Sequence, residues 1–315
     1  MTYVSNDASW WPTINLNIFF SYWMVAAGIV VVYDWVLTLG QEIELIWKQR
    51  RSLMTMLYLI IRYIGILYSI VNVLNTMPSV SLTDAVSTIT YHALNGTNVT
   101  LTAVLGIIMI ARLHAMYQGS RTMLMFLVVI FLAVNIACGV MAAIGLNDTV
   151  LEEFIISDIY ICHYVYEGEE QLLFSLIWML NTAWEVLALC LSVWVAVKHF
   201  RELRRLGPST GSTIGDCFRV LIQSHVLYFA SFVGVSCLQF AVLSPEISAS
   251  NSIGAQILIG TLQILSVVQM FVLGPRLILS VREYHAKLVA HSTAETSMNS
   301  IVLEEHVHVS TSSTV

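Results

Sequence analysis

Three charged side chains fall at bilayer depth within apolar runs of this sequence, away from their basic ends: Asp34, Arg62 and Glu185. A charge at bilayer depth is costly enough to be a functional hypothesis by default. Glu185 is the sharpest case. It closes the stretch Trp178-Met-Leu-Asn181-Thr-Ala-Trp184-Glu185, with Asn181 one helical turn earlier on the same face. A carboxyl with an amide beside it suits a ligand or proton site. It equally suits a neutral hydrogen bond between helices, and the residues alone weigh the two evenly. Its candidate partners are Arg62, His225, Gln263 and Gln269. Asp34 and Arg62 suit a different role. Arg62 stands nine residues into its run, about 13 Å deep at 1.5 Å per residue, within reach of Asp34 on an adjacent antiparallel helix. Paired buried charges more often fix geometry than do chemistry, so a structural clip is favoured over a switch that breaks on ligand binding.

No catalytic constellation accompanies these residues. His-Glu-x-x-His, the P-loop, the dinucleotide-binding glycine pattern and Gly-x-Ser-x-Gly are all absent. The expectation is a protein that is not an enzyme and needs no cofactor. His163 has no partner at metal-ligand spacing, so no metal site is expected. A retinal Schiff base is disfavoured because Lys48, Lys198 and Lys287 are the only lysines and none lies in an apolar run.

The elements that must position the three charges are apolar runs. Of 315 residues, 57% are hydrophobic and 11% charged, against about 25% charged in a soluble domain, and mean hydropathy is +0.77. Runs long enough to cross a hydrocarbon core of about 30 Å lie near 17–39, 53–75, 98–117, 122–145, 171–197, 217–243 and 253–274. A spanning segment must satisfy its own backbone, and the alternating ten-residue pattern of a barrel is missing. These features predict an all-α, seven-helix transmembrane bundle over 17–274. The five prolines flank the runs, so the helices read as continuous. The net charge of −6 excludes a basic nucleic-acid binder.

Thirteen of the fourteen Lys and Arg fall on one side of these spans, Arg62 being the exception. By the positive-inside rule the N-terminal tail, 1–16, is outside and the C-terminus cytosolic. No cleavable signal is recognisable, so the first span is expected to serve as an anchor. Sequons at Asn95, Asn98 and Asn147 fall in outer loops or at their edges, as glycosylation requires. The loop over 146–170 holds seven carboxylates and no Lys or Arg, which suits a solvated outer surface more than a lid for a cationic ligand. On the inner side, Lys198, Arg201, Arg204 and Arg205 form a basic surface for anionic lipid or for a cytosolic partner. Apolar residues at helical spacing predict a juxtamembrane amphipathic helix over 275–290. The last 25 residues, 291–315, contain ten Ser or Thr and suit a disordered tail.

The stretch Tyr33–Asn72 carries Tyr33-Asp34, Glu42 and Glu44 before Trp47, the basic cluster from Lys48 to Arg51, and Arg62-Tyr63. It resembles the N-terminal domain of a fungal, mainly basidiomycete, family of seven-span proteins, catalogued as domain of unknown function 6533. Arg112-Leu-His-Ala-Met-Tyr, and Gly274-Pro275-Arg276 followed by Arg282-Glu283, resemble that family's patterns after the third and seventh spans. The resemblance implies a multi-pass membrane protein and supplies no activity. The marks of rhodopsin-like receptors, such as Asn-Pro-x-x-Tyr in the last span, are missing.

Three functions remain open. The leading one is a receptor-like sensor in a plasma or secretory-pathway membrane, passing a signal from a pocket near Glu185 to a cytosolic partner. The others are a proton- or cation-linked carrier using Glu185, and a scaffold without a small-molecule site. Apart from that partner, the lipid bilayer is the one expected contact.

Overall fold

The computed structural model of the chain describes residues 2–5, 7–48, 52–77, 84–117, 119–148, 150–156, 159–165, 170–206, 212–244, 247, 250, 252–280 and 282–283. Seven long helices dominate: α1 (Trp11–Glu42), α2 (Leu53–Thr76), α3 (Asp84–Met116), α4 (Arg121–Asp148), α5 (Glu170–Leu206), α6 (Ser212–Leu243) and α7 (Ile253–Val268). Two of them run on through π-helical turns, α1 over Ile43–Trp47 and α7 over Gln269–Leu273, with helix resuming over 274–280. Each of the seven is long and apolar enough to cross a membrane, and the chain is a multi-pass membrane protein.

Local chemistry sets several of the helix ends. Pro12 sits in the first turn of α1, where its missing N–H costs nothing. Ser52 and Thr55 form a reciprocal capping box at the start of α2. The Ser252 hydroxyl accepts the Ala255 N–H at 3.3 Å to open α7. After α3 the chain reverses at Gly119, whose φ of +76° is left-handed and whose N–H donates to the His114 carbonyl at 3.0 Å. A Cβ there costs about 1–2 kcal/mol. Gly119→Ala is therefore expected to lower the thermal midpoint of the detergent-solubilised protein, and an unchanged midpoint would show that this turn is not under constraint.

Successive helices pack on one another, and α7 closes the ring against α1. Two apolar cores result. One joins α1, α2, α3, α6 and α7 through residues such as Tyr58, Ile61, Leu105, Phe232 and Phe271. The other joins α3, α4, α5 and α6 through Met109, Leu113, Leu127, Phe131, Trp184 and Phe229. Both α3 and α6 contribute to the two cores, α6 through Phe232 in the first and Phe229 in the second. On the outer surface, Val129, Leu132, Ile136, Val140 and Ile144 of α4 are exposed at three- and four-residue spacing, an apolar stripe that suits lipid rather than water.

The structure departs from the sequence expectations in four places. Helix α3 begins at Asp84 rather than near 98, so Asn95 and Asn98 are helical and not in a loop. Gly96 and the surrounding Ser, Thr and Asn are poor helix formers, but Ser87, Tyr91 and Leu101 are buried against neighbours, and packing overrides propensity. Pro275 lies within the last helix rather than beside it. Lacking an N–H and crowding the carbonyl one turn back, it sits directly after the π turn, whose wider winding relieves that conflict. A three-stranded sheet forms where loop and tail were expected. In it β1 (Thr2–Ser5) pairs parallel with β2 (Val150–Ile156), which pairs antiparallel with β3 (Ile159–Val165). Finally, α5 continues to Leu206, eight residues past the apolar span that ends at Lys198. The expected amphipathic segment is described only over 275–280 and 282–283. Arg50, Arg51, Pro78, Pro208, Pro245, Lys287 and the tail 291–315 lie outside the described residues.

Candidate functional site

At the end of the bundle where the basic residues gather, α1 turns one acidic face toward α2. Asp34, Thr38 and Glu42 recur every four residues and so stack along a single stripe. Arg62 of α2 enters that stripe. Its Nη1 donates to Asp34 Oδ2 at 2.6 Å, and its Nη2 donates to the Asp34 carbonyl at 3.1 Å and to the Thr38 hydroxyl. The opposite carboxylate oxygen, Asp34 Oδ1, accepts from Arg276 Nε at 2.6 Å, which brings the end of the last helix onto the first.

Glu42 is wholly buried and held mainly by neutral donors. The hydroxyls of Tyr58 and Tyr63 donate to it at 3.2 and 3.0 Å, and Trp47 Nε1 donates at 3.2 Å, while Arg62 Nε lies 3.9 Å away. Five residues separate Glu42 from Trp47. A regular α-helix would place them about 140° apart around its axis. The π turn over Ile43–Trp47 swings the indole back. Two carboxylates and two guanidiniums thus balance in charge within one network, as buried ions require.

Further arginines stitch the same end. Arg112 Nη2 on α3 donates to the Leu277 carbonyl at 2.8 Å. Arg282 Nη1 donates to the Leu45 carbonyl at 2.8 Å, and its Nη2 reaches the Ser52 and Thr55 hydroxyls at 2.7 and 2.5 Å. Burial holds the Arg282 guanidinium below its ordinary pKa. Arginines that mark one side of the membrane in the sequence therefore also tie α1, α2, α3 and α7 together.

The second feature is a cavity of about 190 Å³ at the seam between the two cores, walled by α3, α4, α5, α6 and α7. Glu185 faces it from α5, thirteen residues from either end of the Leu172–Lys198 span, about 20 Å from each. The Ser236 hydroxyl of α6 donates to Glu185 Oε2 at 2.5 Å. Phe131, Phe174, Trp178, Trp184 and Phe232 supply aromatic walls. Two buried polar atoms on lining residues have no hydrogen-bond partner among the described residues: Trp184 Nε1 and Gln269 Oε1. Buried polar atoms are nearly always satisfied, so these two mark an unusual polar strain in the wall of the cavity rather than groups open to it.

The sequence-derived candidates thus fall into two groups. Asp34 and Arg62 meet directly, and Glu42 and Arg276 join them from positions the sequence reading did not connect. Glu185 and Asn181 share the cavity. Asn181 Nδ2 donates to the Ile177 carbonyl at 3.0 Å and lies 3.6 Å from Cys138 Sγ. Of the proposed partners of Glu185, Arg62 is committed to Asp34, Gln269 lines the same cavity without bonding to it, and Gln263 Oε1 is buried and unpaired. The side chain of His225 lies outside the described residues. The actual partner, Ser236, had no distinguishing signal, being one small hydroxyl in an apolar run. Asn95 and Asn98 also line the cavity, and Asn95 Nδ2 donates to the Tyr91 carbonyl at 3.0 Å. Asn147 falls in the last turn of α4, described by its backbone alone. Lys198 and Arg201 are exposed on the extension of α5, and Arg204 and Arg205 follow there, described by their backbone alone.

No curated protein matches the chain. Residues 22–67 do match the model of a family described as a family of unknown function (DUF6533). That segment is the α1–α2 hairpin, and it contains Asp34, Thr38, Glu42, Trp47, Tyr58, Arg62 and Tyr63, the entire network except Arg276. Over this hairpin the chain is similar to the DUF6533 family.

Proposed function

We propose that this protein is a receptor-like sensor of a fungal plasma or secretory-pathway membrane. A ligand in the Glu185 cavity shifts the last helix, and the shift is passed to a cytosolic partner. One observation carries the reading: a single helix touches both features. Gln269 lines the cavity, and Arg276, seven residues later, is bound to Asp34. The π turn Gln269–Leu273 and Pro275 lie between them. π turns inside α-helices occur frequently at functional sites, and a change of winding here would move Gln269 relative to Arg276. A ligand that binds one winding better shifts the population toward it. The basic end, with the α5 extension carrying Lys198, Arg201, Arg204 and Arg205, is then cytosolic by the positive-inside rule. The sheet end is outside, where Asn147 is the sequon not committed to the cavity.

The experiment is a substitution series scored separately for surface expression and for growth phenotype in the native host. Glu185→Gln, Gln269→Leu and Arg276→Gln are expected to keep surface expression and lose the phenotype. If every loss of phenotype follows loss of expression, the scaffold reading replaces the sensor. Glu185 at midspan also suits a carrier. Cation flux into vesicles that Glu185→Gln abolishes, with Arg276→Gln silent, would put that reading in its place.

A further inference from the structure

The sensor reading leaves the ligand unspecified, and the lining chemistry narrows it. Among the described residues that line the cavity, Glu185 is the one carboxyl, and there is no Lys, Arg or His. Ser236 occupies Oε2, and Oε1 has no hydrogen-bond partner among the described residues. Gln269, Asn135 and Asn181 add neutral amides to the lining. Five aromatic rings form the walls. The volume is more than ten times the about 10–15 Å³ that one water requires, so the site suits an organic molecule rather than a bare ion. A site with one carboxyl and aromatic faces is matched by an ammonium group on an apolar body. The cation is paired with the carboxylate and lies against π-faces.

We propose that the cavity binds a small organic amine, its ammonium on Glu185 and its apolar body among Phe131, Phe174, Trp178, Trp184 and Phe232. The inference rests on the cavity of the sensor reading. It is tested by binding alone, whereas that reading is tested by phenotype, so the two fail separately. Binding without phenotype overturns the sensor and leaves the ligand class standing.

The full chain in phosphatidylglycerol nanodiscs, which carry no headgroup amine, is titrated with phenethylamine and with 2-phenylethanol, a neutral molecule of nearly the same shape. Phenethylamine is expected to bind at least tenfold more tightly, and Glu185→Gln to abolish that preference. Equal binding of the two probes, or a preference that survives Glu185→Gln, overturns the proposal in favour of a neutral ligand. Should the variant fail to fold, the wild-type protein supplies a second measurement. The free thiol of Cys138 lines the cavity. Phenethylamine is expected to slow its modification by methyl methanethiosulfonate, read by peptide mass spectrometry, and 2-phenylethanol to leave it unchanged. Equal protection by both probes, or by neither, overturns the proposal. Adding phosphatidylethanolamine to the nanodiscs separates the sources. A weakened phenethylamine titration identifies a lipid headgroup amine as the occupant, an unchanged one a soluble amine, and either supports the class.

Discussion

Replacing Arg62 with methionine is expected to destabilise the bundle by about 3–5 kcal/mol, the range for removing one partner of a buried ion pair. Methionine preserves the apolar stem and deletes every donor of the guanidinium. Asp34 would keep Arg276 at 2.6 Å. Glu42 would be left with Tyr58, Tyr63 and Trp47, neutral donors that cannot balance a buried charge. The loss should therefore fall mainly on Glu42, and this can be isolated. Adding Glu42→Gln removes the uncompensated charge and leaves an amide oxygen to accept the same hydrogen bonds. The double variant is expected to be more stable than Arg62→Met alone, with a coupling of about 0.5–3 kcal/mol. Thermal midpoints in detergent, measured for the two single variants and the pair, decide it. An Arg62→Met midpoint equal to wild type would mean the network contributes nothing to stability.

The sequence made the seven spans legible because hydropathy over about 20 residues is a strong, local signal. It made the Asp34–Arg62 pair legible because an antiparallel hairpin fixes relative depth by counting residues. Arg276 was beyond such counting, since only the closed ring of helices brings residue 276 beside residue 34, 242 positions away. Glu42 lies beyond the expected end of the first span, so nothing in the sequence pairs it with Arg62. The sheet was missed for a different reason. Val150–Ile156 and Ile159–Val165 are two seven-residue runs rich in β-branched and aromatic residues, separated by two residues, which is a hairpin signal. Their carboxylates drew attention to charge instead of periodicity. Of the two π turns, the one before Pro275 has a cause visible in the sequence, and the one over Ile43–Trp47 does not. Their consequence is to place Trp47 on Glu42 and Gln269 in the cavity, and this required knowing which face each helix presents.

Gly65→Val is expected to cost about 1–3 kcal/mol, the range for overpacking a filled core. It probes the π turn of the last helix from outside. A Cβ at Gly65 would lie 2.4 Å from Cδ1 and 2.9 Å from Cγ of Phe271, far inside contact distance. Phe271 is 1% exposed and packs at 5.2 Å from the Tyr68 ring, so it has little room to yield. The conflict must move either α2 or the Gln269–Leu273 turn. If it is local to this ring, the cost of Gly65→Val should nearly vanish in a Phe271→Ala background, although Phe271→Ala alone is itself destabilising. A cost that persists in that background would place the clash with backbone rather than with the ring. The same pair bears on the proposed sensor function. Gly65 lies one turn from Arg62 on α2, and Phe271 lies between Gln269 and Arg276, so this contact joins the charge network to the cavity through packing alone. A substitution that displaces Phe271 without unfolding the protein should change phenotype while leaving Asp34 and Glu185 intact, and that outcome separates mechanical coupling along the last helix from direct electrostatic coupling between the two sites.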